Sequence, residues 1–254
     1  MTATIAQICR YPVKGLNAES LERVSLTPNQ SLPNDRRFAV AHDPVGAGTD
    51  RDPGAWQPPR AFLQLKKNEK LAQLHARFDE AEGILTIERR GKQVARGKVT
   101  EPLGRTLIGQ FFSGYMADEL RGAPRLLEAR AQPFTDTDEP VISVIGLASI
   151  ADLERVVREP LDRRRFRANI YIEGAPAWSE LDWVGREATL GEARLRIESR
   201  IDRCAATNVN PETAARDLNI PLTLQRGFGH IDMGVYARVL EPGSIATGDR
   251  LVLD

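Results

Sequence analysis

The C-terminal half of the chain is written in short alternating strands. The segments NIYIEG, EATLGEARLRIES, GVYARVL and DRLVLD place apolar residues at every second position, with Gly or Pro turns between them. An alternating strand buries one face only, so several in succession must close that face inward as a barrel or sandwich. The N-terminal end repeats the pattern. TIAQICRYPVKG and RRFAVAHD read as short strands, and GILTIERRGKQVARGKV reads as a hairpin with Gly91 in its turn. Two segments have helical spacing instead. In LGRTLIGQFFSGYM the stripe is Leu103, Leu107, Phe111 and Tyr115; in SIADLERVVREPL it is Ile150, Leu153, Val157 and Leu161, with Ser149 and Asp152 at the spacing of a capping box. The expected fold class is mostly β with a few helices (α+β). The polar stretch SGYMADELRGAPR sets an expected division into residues 1–118 and 119–254, the first β-barrel-like and the second a β-barrel. DPVGAGTDRDPGAWQPP, rich in Gly, Pro and Asp, is expected to be an exposed loop.

Charge and composition narrow the partners. Lys plus Arg equals Asp plus Glu at 35 each, so no whole-molecule field draws the chain to nucleic acid or to an anionic membrane, and neither is expected as a partner. A small anion held by a local arginine cluster stays open. The chain has no apolar run of the ~18 residues a spanning helix needs, and its start lacks a basic segment before a hydrophobic one. The expected compartment is the cytoplasm, where Cys9 and Cys204 stay reduced and unpaired. His42, His75 and His230 lie far apart with no metal-ligand spacing, and dinucleotide, P-loop and nucleophile-elbow motifs are absent.

Three segments carry chemistry. Cys9 sits within an alternating apolar strand and reads as structural. Cys204 follows Asp202 and Arg203 and precedes Thr207, Asn208 and Pro211; the residues alone leave it either a small buried hydrophobe or a thiolate favoured by the neighbouring guanidinium. DRRRFRANI is either a solvated basic turn or a strand edge whose Arg167 and Asn169, two apart, face a pocket and hold an anion. In YPVKG, Lys14 follows a strand and precedes a glycine, where an ammonium and backbone NH groups can both meet a phosphate.

Together with DRRFAV, FTDTDEP before SIADLE, FRANIYIEG, AWSELDWVG, DRCAATNVNPETAARD and the closing GFGHIDMGVYARVLEPGSIATGD, in this order, the chain resembles the MOSC family over most of its length. More narrowly it is similar to the two-part members with an N-terminal β-barrel domain, which include the mitochondrial amidoxime reducing component and its bacterial relatives. The resemblance implies a molybdenum cofactor (molybdenum on a molybdopterin) with Cys204 as the metal's protein ligand and catalytic centre. It further implies that Lys14, Arg36, Arg167, Asn169 and Arg203 bind the phosphate and pterin, with hydrogen bonds from Thr137, or alternatively Thr135, and from Asp202. Ala168, Asp202 and Asn210 depart from the family's usual proline, serine and aspartate. A carboxylate at Asp202 beside an anionic cofactor calls for an arginine partner.

The activity implied is an oxidoreductase that reduces small N-hydroxylated compounds: amidoximes, hydroxylamines or N-hydroxylated bases. No flavin, haem or iron-sulfur signature is present, so a separate reductase or small electron carrier is expected as partner. The alternative implied by the family is a non-redox protein that binds the cofactor, or carries sulfur as a persulfide on Cys204.

Overall fold

The computed structural model describes residues 2–42, 58–129 and 132–254. Residues 43–57 of the expected loop lie outside the described residues. The order begins with β1 (Thr2–Arg10), β2 (Glu19–Leu21), β3 (Arg23–Leu26), β4 (Phe38–Ala41), β5 (Leu74–Asp79), β6 (Ile84–Arg89) and β7 (Lys92–Lys98), then α1 (Pro102–Tyr115) and β8 (Arg125–Glu128). It continues with β9 (Ile142–Gly146), α2 (Leu147–Val157), β10 (Ile170–Glu173), β11 (Glu187–Leu190), β12 (Ala193–Asp202), α3 (Ile220–Phe228), β13 (Asp232–Glu241), β14 (Gly243–Ala246) and β15 (Arg250–Leu253). The protein is mostly β, as its alternation predicts.

The late strands close on themselves. Hydrogen bonding runs β10, β9, β13, β12, β11, β15, β1, and β1 returns to pair with β10, which makes a closed seven-stranded barrel. Its interior is the alternating apolar set: Ile5, Ile142, Ile170, Leu195, Ile197, Val235 and Val239 are buried together. The parallel pair β9–β10 needs a crossover, which α2 supplies. The first strand of the chain is thus laid among the last.

The remaining N-terminal elements pack a second core. The antiparallel sheet β5-β6-β7, the pair β4-β8 and α1 bury Phe38, Leu71, Leu74, Leu85, Ile87, Ile108 and Phe112 against one another. The β6–β7 hairpin turns at Arg90 and Gly91, with φ of 51° and 70°, the two left-handed residues of a tight primed turn.

Two helical readings need correction. In α1 the expected stripe is not the buried face: Leu103 is 68% and Leu107 44% exposed, whereas Gly104, Ile108, Gly109 and Phe112 face inward. A Cβ on Gly104 would lie 2.1 Å from the Lys98 carbonyl oxygen, so at this point of the inward face the helix meets β7 backbone to backbone. In α2, Ser149 is inside the helix rather than at its cap, because the chain passes from β9 into α2 with no loop between. The buried Glu180 carboxylate caps it instead, accepting from the Gly146 amide at 3.2 Å and from the Ser149 hydroxyl at 2.7 Å. Leu161 lies beyond the helix end, though buried.

Candidate functional site

The connection from β1 to β4, the segment before β9, the segment before β10 and the end of β12 surround a cavity of about 560 Å³. All eight residues expected at a site line it: Lys14, Arg36, Thr137, Arg167, Asn169, Asp202, Arg203 and Cys204. Their roles within it differ.

Lys14, Arg36 and Arg167 form a cationic group, the two arginines around one ring. The Arg36 and Arg167 guanidinium carbons lie 4.3 and 4.4 Å from the centroid of the fully buried Tyr11 ring. Both arginines have left-handed backbone, with φ of 48° and 54°. Arg167 and Asn169 therefore do not reach the cavity as alternate residues of a strand, since β10 begins only at Ile170; a left-handed residue ending the short turn Arg163–Phe166 redirects the side chain. Arg36 pairs with the buried Asp35 carboxylate and donates to the Arg167 carbonyl at 3.0 Å. Lys14 donates to the Phe134 carbonyl at 2.9 Å and pairs with Asp136 at 2.5 Å. Its amide N–H is committed to the Phe38 carbonyl at 2.8 Å, so only the ammonium of this residue serves the cavity.

Arg167 donates to the Leu16 carbonyl at 2.7 Å, and among the described residues no carboxylate lies in ion-pair range of it. Burial, and then the neighbouring Arg36 charge, push it down to about 10. Burial likewise pushes Lys14 down against the pull of Asp136. In Arg36 the Asp35 carboxylate prevails over burial and holds the guanidinium above its usual range.

Asn169 and Arg203 serve the walls. The Asn169 side-chain oxygen accepts from the Ser143 amide at 3.1 Å and hydroxyl at 2.9 Å, and its nitrogen donates to the Cys9 carbonyl at 3.3 Å, which ties β9 to β1 and leaves one amide N–H. Arg203 donates to the Met233 carbonyl and, at 3.0 Å, to that of Phe166. Its guanidinium is turned to backbone and does not pair with Asp202, which is exposed at the rim. Thr135 donates to the Thr137 carbonyl at 2.7 Å, and the Thr137 hydroxyl oxygen accepts from the Glu139 amide at 3.1 Å. Both line the cavity and close the turn that carries Asp136.

Cys204 sits at the start of the short 3-10 turn Ala205–Asn208, partly exposed, where β12 has ended. Cys9 is its opposite: 4% exposed in β1, with burial pushing the thiol up to about 11. A protonated, enclosed thiol is inert, which leaves Cys204 as the available sulfur. Asp35, Asp136, Ser143 and Tyr236 also line the cavity and were not anticipated; Asp35, inside DRRFAV, and Asp136, inside FTDTDEP, each lie in a quoted motif beside an assigned residue.

Residues 2–119 match the MOSC N-terminal beta barrel domain family and residues 131–252 the MOSC domain family. The chain is a two-part MOSC protein. Among curated relatives, this MOSC protein is 25% identical over 150 residues to mitochondrial amidoxime-reducing component 1 of Homo sapiens, a match covering 54% of the chain and 42% of the relative. It is 29% identical over 153 residues to the Xenopus laevis protein of the same name, covering 53% of the chain and 43% of that relative. The matched part is thus less than half the length of either relative. Among solved structures, the YUAD protein from Bacillus subtilis aligns over 100% of this chain and 96% of its own at 13% identity, with a TM-score of 0.47. No described helix of this MOSC protein is long and apolar enough to cross a membrane.

The cavity of the MOSC protein suits a particular kind of ligand. A buried guanidinium without a counter-charge is costly unless an anion completes it, and guanidinium forks match phosphate oxygens. At another wall the available thiol suits a soft metal. The donor set therefore fits a phosphate-bearing group that also presents a thiophilic metal.

Proposed function

We propose that this MOSC protein holds a molybdenum cofactor in the cavity, with Cys204 as the metal's protein ligand, and reduces small N-hydroxylated compounds such as amidoximes, hydroxylamines or N-hydroxylated bases. The observation that carries the reading is the shared cavity of Cys204 and Arg167: an available thiol and an uncompensated cation in one enclosure. The relatives named as amidoxime-reducing components support the reaction class.

The residues divide the work. Arg167, with Lys14 and Arg36 beside it, would receive the cofactor's phosphate, since Asp136 and Asp35 already balance the latter two. Asn169 offers its remaining N–H to the pterin, and Thr137, Thr135 and the rim carboxylate of Asp202 offer polar contacts. Arg203 acts by holding the Phe166 and Met233 carbonyls, which ties the residue before Cys204 to the cavity wall at Phe166. When bound, the cofactor supplies the two-electron chemistry that takes oxygen from an N-hydroxyl group. The reduction consumes two electrons and two protons and releases water, with electrons from a separate reductase or carrier protein.

The test is molybdenum content, measured by elemental analysis on the full chain and on Cys204→Ala, both made in a host with an active cofactor pathway. The expected result is stoichiometric molybdenum in the wild type and none in the variant, with wild-type reduction of benzamidoxime by reduced viologen. Molybdenum absent from both proteins overturns the reading and turns attention to a persulfide on Cys204.

A further inference from the structure

Every backbone carbonyl of the turn that carries Cys204 is held. The Cys204 carbonyl accepts from the Thr207 hydroxyl at 2.8 Å and that of Ala206 from the Val209 amide at 3.3 Å. Two arginines from elsewhere take the rest. Arg165 Nη1 donates to the Asn208 carbonyl at 3.1 Å and to that of Thr207 at 3.4 Å, and Arg216 Nη1 donates to the Ala205 carbonyl at 3.1 Å. A turn this short cannot satisfy its own carbonyls, so its shape is set by whatever does.

The two guanidiniums are themselves fixed. Arg165 is 5% exposed, and its Nη2 bonds Asp217 at 2.8 Å, whose carboxylate also accepts from Asn210 at 2.7 Å. Among the described residues its buried Nε has no partner, so the side chain is placed for what the two Nη atoms hold, at some cost to itself. Arg216 spans the cavity's edge: Nη2 donates to the carbonyls of Leu65 at 3.1 Å and Lys66 at 3.0 Å and meets Glu69 at 3.1 Å. Leu65 and Lys66 line the same cavity from the N-terminal elements. One fork thus anchors the turn to the basic segment before β10, and the other clasps it to the opposite wall.

We propose that Arg165 and Arg216 are positioning residues that fix the Cys204 turn, and with it the sulfur, against the cavity. The purpose of the turn rests on the function proposed above; the geometry does not. A planar fork reaches two carbonyls and a carboxylate at once, which the single ammonium of lysine cannot.

The experiment uses the full chain as wild type, Arg165→Met, Arg165→Lys and Arg216→Met. It measures the rate of iodoacetamide labelling at Cys204, located by mass spectrometry, and the molybdenum retained after gel filtration. Cys9 is too enclosed to contribute to the labelling. The expected result is labelling of cofactor-free Arg165→Met and Arg216→Met faster by about threefold or more, as local opening of the turn becomes cheaper. Molybdenum retention falls in both, and Arg165→Lys lies between them and the wild type. A lower melting temperature with an unchanged labelling rate would mean ordinary structural arginines and overturns the proposal. If Arg165→Met does not fold, Arg165→Lys and the more exposed Arg216→Met decide by the same two readouts. Faster labelling in variants of a protein that never holds molybdenum would sustain this proposal while sinking the functional one.

Discussion

Arg167 is held where its charge has least support. Its left-handed backbone turns it into the cavity, the Tyr11 ring and the Leu16 carbonyl are its protein contacts, and Arg36 stands beside it. A base whose folded value is depressed to about 10 penalises folding at every pH below about 10, and the penalty fades only as pH climbs from there toward the ordinary guanidinium range. Near neutrality it is constant, so an anion is what can relieve it. Inorganic phosphate is therefore expected to raise the melting temperature of the wild type and not that of Arg167→Met, measured by thermal shift at neutral pH over a phosphate series. Without phosphate the variant keeps the wild-type melting temperature to within a few degrees, because losing the Leu16 hydrogen bond, about 1.5–3 kcal/mol, is offset by removing an uncompensated buried charge. An equal phosphate shift in both proteins would place the anion away from Arg167.

At the scale of elements, α1 shows what a stripe does and does not report. Gly104→Ala improves helix propensity by about 1 kcal/mol, yet the new methyl meets the Lys98 backbone at 2.1 Å, so the chains must separate. Overpacking of about 1–3 kcal/mol or more wins, and the variant is expected to unfold at lower denaturant, while Leu103→Gln on the exposed side leaves the midpoint within about 0.5 kcal/mol of wild type. The reverse order in urea titrations would restore the leucine stripe as the buried face. The strands were legible because alternation is itself a record of burial, and the hairpin because Arg90-Gly91 has the turn's chemistry. The register of α1 was not, because half of its docking face, Gly104 and Gly109, is glycine, and α3 was missed because its nine residues bury only Ile220 and Leu224. In DRRRFRANI the residue types pointed to an anion but adjacency could not sort them. Arg164 pairs with Asp162 and Glu212, Arg165 holds the cysteine turn, and Arg167 alone of these three reaches the cavity without a carboxylate. Partners such as Asp136 for Lys14, 122 residues away, are set by the fold and leave no local signal.

For the whole molecule, the contrast is between an apolar barrel and a site stitched by charges. The barrel closes through β1, and its strands share an apolar core, with cross-strand ion pairs such as Arg194–Glu187 and Arg238–Glu198 outside it. The cavity is assembled from segments held by Lys14 with Asp136, Arg164 with Asp162, and Arg165 with Asp217. In each of these three carboxyl groups burial acts to raise the value, and the bonds and charges of the partners prevail and hold it below the ordinary 3.8. A carboxyl depressed in the folded state adds stability above its unfolded value, and that stability is lost as pH falls through the folded value. Protonating Asp136 has a further effect, since Lys14 then faces Arg36 and Arg167 with its own counter-charge gone. Acid should therefore loosen the site before it melts the barrel. Amide hydrogen exchange read by mass spectrometry, corrected for intrinsic rates, is expected to show residues 133–140, 162–169 and 205–217 losing protection as pH falls below the ordinary carboxylate range, with β9 and β13 still protected. Simultaneous loss in both sets would mean that the charged seam and the barrel unfold as one cooperative unit, and that the site draws its order from the barrel rather than from its own ion pairs.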